Sequence, residues 1–333
     1  MRQSLIPLAF LLTMLVIFSS LFSLAMGETP LSLAQVYGAL VGDADVTSSL
    51  IVNDIRLPRM ILTLLAGASL GMAGAALQGF LRNPIAEPSL LGISNGAALG
   101  AVLVFYTGLA GSSALAVPLA GLAGAFITGG ALLALAGRFG DSNVLILAGI
   151  ALSSMTGALI AIVLNLAPNP YAIMEIVHWL MGSVENRTMQ DALLILPFTL
   201  LGWTLLFCCG RALDALSLGE AVASSLGICL KHTQLLLVGG TALCVGAAVS
   251  VTGSIGFIGL IVPHLLRKQV ANSPRHLLWA SALGGAALLT LADVLVRVIP
   301  TNSAELKLGI VTTLIGIPFF LHLIWQSRKG ASS

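Results

Sequence analysis

The sequence predicts an all-α membrane protein, a polytopic bundle of ten transmembrane helices, and three observations carry that prediction. Hydrophobic residues fill 57% of the 333 positions and charged residues 8%, where soluble domains carry about 25%. The apolar runs are long and continuous, without the every-second-residue alternation of a membrane barrel. Glycine occurs 36 times, as close helix crossings in lipid require. Residues 1–333 therefore read as one transmembrane domain with little mass outside the bilayer.

The spans follow in order. Arg2 precedes the apolar run Leu5–Ala25, which ends in small residues as a signal peptide does. That run exceeds the about 7–15 residues of a signal core and suffices for about 30 Å of hydrocarbon, so it reads as a retained first span. Next, Pro30–Leu40 fits a short interfacial helix, and Gly42–Asp54 reads as a loop carrying Asp43, Asp45 and Asp54. Span 2 (Met60–Phe80) starts directly after Arg56-Leu-Pro-Arg59. Span 3 is Leu90–Thr107, span 4 Ala114–Leu135 and span 5 Val144–Leu166. The polar connection that follows contains the apolar patch Ile173–Met181, which fits a short or re-entrant helix. Span 6 is Ala192–Cys209 and span 7 Leu235–Val251. A glycine-interrupted span 8 (Gly256–Leu266), span 9 (Leu277–Val296) and span 10 (Leu308–Trp325) complete the bundle.

Between spans 6 and 7 lies the one sizeable polar interruption of the second half, Arg211–Gln234. Leu213, Leu216, Leu218, Ala221, Val222, Leu226 and Ile228 fall at helical spacing, with Arg211, Asp214, Glu220 and Lys231 on the polar side. It reads as an amphipathic hairpin, either resting on the membrane surface or presented to a partner. Charge placement sets its side. With both termini in the cytoplasm, Arg2, Arg82, Arg138, Arg211, Lys231, Arg267, Lys268, Arg275, Arg328 and Lys329 fall inside. Arg56, Arg59, Arg187, Arg297 and Lys307 fall outside, a bias of ten against five that follows the positive-inside rule. The hairpin then faces the cytoplasm. Leu65, Gly67, Gly74, Ala75 and Ala76 match Leu237, Gly239, Gly246, Ala247 and Ala248 at a constant offset in spans 2 and 7. This is a faint inverted-repeat pattern, which small residues in lipid also produce by chance.

Two breaks stand out. In the first, Gln78 is followed by Arg82, Asn83, Pro84, Glu87 and Pro88; each proline removes a backbone donor, and Arg82, Asn83 and Glu87 are costly in hydrocarbon unless paired or wetted. They fit a charged cytoplasmic turn or a broken helix at a translocation path. In the second, Gly253, Gly256 and Gly259 offer a smooth face for close crossing, while Pro263 shortens or kinks the helix. His264 there reads as a structural hydrogen-bonding residue. Arg56, Arg59 and Arg297 lie outside against the charge rule, suited to lipid phosphates or to an acidic partner, with Asp293 one turn from Arg297 and placed to hold it. Cys208, Cys209, Cys229 and Cys244 have no metal-like spacing and read as free thiols. The sequence holds no GxxxxGK[ST], TVGYG or HExxH and no deep ladder of ionisable residues, so no catalytic or metal site is assigned. Energy for active transport would enter through another chain, at the hairpin.

These motifs resemble the FecCD-type permease family, membrane subunits of importers for iron–siderophores, haem and cobalamin. The resemblance runs in register from Ile55 to Phe320. It is carried by RLPR at Arg56–Arg59, GxxLQGFLRNPIAEPSLLG ending at Gly92, GSIGFIGLIVPHLLR at Gly253–Arg267 and ELKLGIVTTLIGIPFF at Glu305–Phe320. It implies the type II ABC importer permease fold and a homodimer in a bacterial inner membrane. Partners would be two cytoplasmic ATPases that bind ATP and magnesium, and a periplasmic or lipid-anchored binding protein; no nucleic acid is involved. The family's coupling hairpin matches Leu218–Gly227, with Leu218, Gly219, Glu220, Ala221, Ser224, Leu226 and Gly227 as the ATPase contacts. Arg56, Arg59 and Arg297 match arginines that meet glutamates of the binding protein in the cobalamin permease. Residues Ala271–His276 depart from the family's Gly-x-Asp-His-Arg pattern, lacking its aspartate. The resemblance favours a ferric siderophore as cargo, with haem or cobalamin as alternatives. Outside the family, an ion-coupled secondary carrier and a non-transporting scaffold are the competing classes.

Overall fold

The apolar runs fold as helices. The computed structural model describes residues 2–111, 113–136, 142–299 and 305–330, and no strand occurs among them. The helices are α1 (Arg2–Ala25), α2 (Leu33–Val41), α3 (Val46–Leu50), α4 (Leu57–Phe80), α5 (Ile93–Tyr106), α6 (Ala116–Ala136), α7 (Ser142–Asn165) and α8 (Pro170–Leu180). They continue as α9 (Met189–Cys208), α10 (Gly210–Leu216), α11 (Glu220–Ser225), α12 (Leu230–Thr252), α13 (Ile258–Leu266), α14 (Pro274–Val298) and α15 (Leu308–Gly330). Arg138, expected inside, lies outside the described residues, as do the side chains of Arg2, Arg328 and Lys329.

Seven helices among the described residues are long and apolar enough to cross a membrane: α1, the run Val46–Phe80, α6, α7, α9, α12 and α14. Spans 3 and 8 come out shorter than a bilayer demands. At about 1.5 Å per residue, the 14 residues of α5 reach about 21 Å and the nine of α13 about 14 Å, against about 30 Å of hydrocarbon. Both lose length to the two breaks. The expected loop Gly42–Asp54 is instead largely helical: Asp45 caps α3 by accepting from the Ser48 N–H at 3.0 Å. Residues Ile51–Arg56 form a π-helical turn running into α4, in which the Leu57 N–H bonds the Val52 carbonyl. Pro58, without an N–H, cannot bond the Asp54 carbonyl in the α pattern, and the wider turn accommodates it. The short helices expected near Pro30–Leu40 and Ile173–Met181 are α2, closed by a Ser32–Gln35 capping box, and α8, capped by Asn169.

Two helices form the centre: over their most apolar stretch, α12 and the run ending in α4 are each 83% buried, against 11% for α1 and 22% for α7. The small residues of α4 put backbone against backbone. A Cβ added at Gly67 would collide with the Gly285 carbonyl, one at Gly71 with the Ser281 carbonyl, and one at Gly74 with Gly259 of α13. Gly67 and Gly71 thus face Gly285 and Ser281 in reverse order, so α4 and α14 cross antiparallel along two small-xxx-small stripes. The repeat-like residues of α12 make other contacts, with Gly246 against Ala125 of α6.

Gly71→Leu is expected to destabilise the fold by about 1–3 kcal/mol or prevent its assembly. Gly157→Ala, where an added Cβ meets nothing within 4 Å, should leave the melting temperature in detergent unchanged or raised. Equal behaviour of the two variants would contradict the close crossing.

Candidate functional site

The arginine candidates fall at one end of α4 and the first break and hairpin at the other, with Gly259 packed on the α4 backbone between them. The arginine end is a buried charge network, where the sequence suggested contacts to lipid phosphates or to an acidic partner with Asp293 beside Arg297. Arg59 donates Nε to Asp293 Oδ1 at 2.8 Å, and its two terminal nitrogens fork onto Glu305, Nη1 at 3.0 Å from Oε2. Arg297 Nε lies 3.1 Å from Asp293 Oδ2, the one-turn pairing expected, and its terminal nitrogens reach the Ser23 carbonyl, the Ser23 hydroxyl and the Met26 carbonyl. Arg56 meets only carbonyls: Nη1 donates to Leu24 at 2.7 Å and Ala25 at 2.8 Å, and Nη2 to Thr29. Asp293 is fully buried. Arg59 and Arg297 therefore share two carboxylates, Asp293 and Glu305, and with the carbonyl contacts of Arg56 they tie together α1, α4, α14 and the 305–308 segment. Lys307 adds an ion pair to Glu185 at 2.7 Å.

These side chains line a cleft of about 860 Å³ that also takes in Glu28, Asp54 and residues 184–188. Arg187 belongs to that lining, half-buried on the loop between α8 and α9. Sequence reading assigned it a side of the membrane and no role.

At the other end the two breaks meet. Pro263 has no N–H to give the Gly259 carbonyl four residues back. Gln78 Nε2 supplies the missing donor, lying 3.4 Å from the Gly259 oxygen and 3.3 Å from that of Leu260. Arg267 donates to Gln78 Oε1 at 2.6 Å, so one buried glutamine locks α4 to α13. Pro88 packs at Gly259, where an added Cβ would sit 3.2 Å from its Cδ. Glu87 takes hydrogen bonds from the Ser89 hydroxyl and the Phe257 N–H, while burial pushes its carboxyl above the ordinary range. Asn83 Oδ1 accepts from the Ile85 N–H at 3.1 Å and shapes the turn with Pro84. Phe257 sits in the left-handed region at φ 67°, and Gly253 at φ 70°. A Cβ on Gly253 would strike the Trp179 carbonyl, whereas one on Gly256 would meet nothing within 4 Å, so the expected smooth three-glycine face is two-thirds used. His264 corrects another expectation: it packs edge-on to Phe319 of α15, and its Nδ1 has no hydrogen-bond partner among the described residues.

The hairpin divides into two short helices, α10 and α11, rather than one amphipathic stripe. Leu213 and Leu216 are buried, but Leu218 is 67% exposed, Val222 41% and Leu226 62%, so the apolar set points two ways. Gly219 at φ 109° and Gly227 at φ 81° make the turns on either side of α11, conformations other residues rarely take. Ala221 and Ser224 are exposed on α11. Two polar contacts absent from sequence reasoning anchor the hairpin. Asp214 Oδ1 accepts from the Arg275 N–H at 3.0 Å and the Ser273 hydroxyl at 3.2 Å, at the start of α14. Arg82, held at φ 48°, pairs with Glu220 at 2.8 Å and joins the first break to α11. Cys208, Cys209, Cys229 and Cys244 are free thiols, and among the described residues no group of three or more His, Cys, Asp or Glu side chains is placed to hold a metal ion.

This architecture superimposes on a solved chain described as an inward-facing conformation of a metal-chelate type ABC transporter. The TM-score is 0.85 at 30% identity, over 95% of this chain and 98% of that one. The molecule is thus an all-α polytopic membrane permease of the ABC-importer type. It belongs to the FecCD transport family, whose model matches residues 14–326. Among its relatives, the ABC transporter permease protein YvrB of Bacillus subtilis, itself uncharacterised, is 41% identical over 90% of this chain and 85% of its own length. The hemin transport system permease protein HmuU of Yersinia pestis is 38% identical over 99% of this chain and 98% of its own. A cobalamin import system permease protein of Halobacterium salinarum is 40% identical over 84% of this chain and 74% of its own.

Asp293→Ala should destabilise by about 3–5 kcal/mol, because it leaves two buried guanidiniums short of their counter-ion. Glu305→Gln should cost less, since the Glu305 side chain is one-fifth exposed. Thermal unfolding of both variants in detergent checks the order; a larger loss from Glu305→Gln would contradict it.

Proposed function

We propose that this chain is the permease subunit of an ATP-driven importer of a metal chelate, with a ferric siderophore as the first candidate cargo and haem or cobalamin next. Two copies form the translocation path as a homodimer in a bacterial inner membrane. Each contributes ten spans, the seven long helices together with α5, α13 and α15, and both termini face the cytoplasm. Two cytoplasmic ATPases bind ATP and magnesium; this subunit performs no catalysis and carries no cofactor. A binding protein delivers cargo at the Arg56, Arg59 and Arg297 end. The pairing there supports acidic docking, because Asp293 and Glu305 are taken by Arg59 and Arg297 while Arg56 is held by carbonyls alone and keeps an unneutralised charge.

The observation that carries the proposal is the exposed tip of the hairpin. Leu218, Val222 and Leu226 stand in the open around α11, on a segment with polar anchors on two sides. An apolar tip on a polar end is the surface a groove in a partner would cover. Movement imposed on α11 passes through Glu220 and Arg82 to the first break. From there it reaches α13 through Pro88, Glu87 and Gln78. Movement of α10 passes through Asp214 to the start of α14. ATP binding in the partner then favours one arrangement of these elements over another, which is coupling by differential contact.

With the transporter reconstituted in liposomes, Leu218→Arg, Leu226→Arg and Ser224→Trp are expected to reduce both ATP-driven chelate uptake and ATPase stimulation at least tenfold, without loss of the folded permease. Unchanged uptake and ATPase rates would refute the assignment of the hairpin. Uptake driven by an imposed proton or sodium gradient without ATPases would instead establish a secondary carrier.

A further inference from the structure

Four arginines line the cleft at the arginine end, and three are engaged by the protein itself. Arg187 is different. It forms no ion pair and no hydrogen bond among the described residues, and its Nε is sealed from solvent without an acceptor. The remaining carboxylates of the lining do not reach it: Glu185 is taken by Lys307 and Glu305 by Arg59, while Glu28 and Asp54 pair with no arginine. Burial pulls the Arg187 guanidinium below its ordinary range, opposed only by the charge of Asp191, whose carboxylate is occupied in capping α9 at Thr188. An arginine keeps its charge under such burial, and a half-desolvated charge whose one nearby acid is committed elsewhere is a standing cost that an incoming anion removes.

The surroundings fix the position of this group. Asn186, in the left-handed region at φ 56°, turns the chain just before Arg187. The Thr188–Asp191 capping box fixes the chain just after it. The Lys307–Glu185 pair holds the loop to the segment before α15, and the Ser183 N–H bonds the Thr252 carbonyl at 2.7 Å. The guanidinium therefore stands on a braced loop and faces an open cleft of about 860 Å³, room for a chelate-sized molecule.

We propose that Arg187 is an anion-recognition residue of the cleft, taking a carboxylate of the incoming metal chelate in a forked hydrogen-bonded pair. This rests on the importer reading and narrows it. Chelates that carry free carboxylates, such as ferric citrate or haemin with its propionates, are admitted in preference to chelates of the same size that carry none. Arg187 discriminates among cargoes, while the neighbouring network of Arg59, Asp293 and Arg297 holds the walls.

The test uses the full-length chain in nanodiscs, without ATP, so that it is independent of ATP-driven uptake, on which the importer reading stands or falls. Equilibrium binding is measured for haemin against haemin dimethyl ester, and for ferric citrate against ferrioxamine B, which has no free carboxylate. Wild type is expected to bind the carboxylate member of each pair at least tenfold more tightly. Arg187→Gln should abolish that preference and Arg187→Lys should keep part of it, with melting temperatures within a few degrees of wild type. No preference in wild type, or a preference that survives Arg187→Gln, overturns the proposal. So does an Arg187→Gln variant that loses affinity for the cargo-free binding protein while keeping the chelate preference, because the carboxylate would then come from the docking protein.

Discussion

The close antiparallel crossing of α4 with α14 and α13 is the constraint on which the rest of the structure depends. Gly67, Gly71 and Gly74 let the backbones touch where lipid supplies no hydrophobic force to hold helices together. That contact aligns Arg59 with Asp293 at one end of α4 and Gln78 with the Gly259 carbonyl at the other. Both polar ends are thus positioned by one apolar seam. A side chain added anywhere along it would push apart the ion pairs at one end and the paired breaks at the other.

The two ends solve the same problem differently. At the arginine end, charges are buried against each other, and Asp293 serves two guanidiniums at once. At the hairpin end, backbone groups freed by proline and glycine are satisfied by side chains, chiefly Gln78 and Glu87. Broken backbone at membrane depth is tolerated only where protein satisfies it, and here each break supplies the other's partners. Two short, mutually braced segments can shift as a unit without exposing unpaired amides to lipid.

The helical bundle, its order and its family were legible from long apolar runs and four ordered motifs, because both signals are local in the chain. Span lengths were less so. The sequence shows apolar residues up to a break but not that α13 begins only after Gly253 and Gly256 and runs nine residues, or that Pro58 is absorbed in a π-helical turn continuing α4 backwards. The candidate residues stand out one by one in the sequence, yet their pairings span 138 residues for Arg82 with Glu220 and 234 for Arg59 with Asp293, and no periodicity reports contacts at that distance. The hairpin was read as one amphipathic stripe because Leu213, Leu216, Leu218, Val222 and Leu226 share helical spacing. Gly219 rotates α11 away from α10, and this sends the later leucines outward. Asp293 alone was paired correctly in advance with Arg297, since that contact lies within one helical turn.

In the proposed coupling, force from the hairpin reaches the broken helices through the Arg82–Glu220 pair. The most direct measurement is a charge-exchange cycle in the reconstituted transporter, following ATP hydrolysis and chelate uptake together. Arg82→Glu and Glu220→Arg are each expected to lower uptake per ATP hydrolysed, and the double exchange to restore most of it, a non-additive result that neighbouring partners produce. Additive losses, with no recovery in the double variant, would contradict the account.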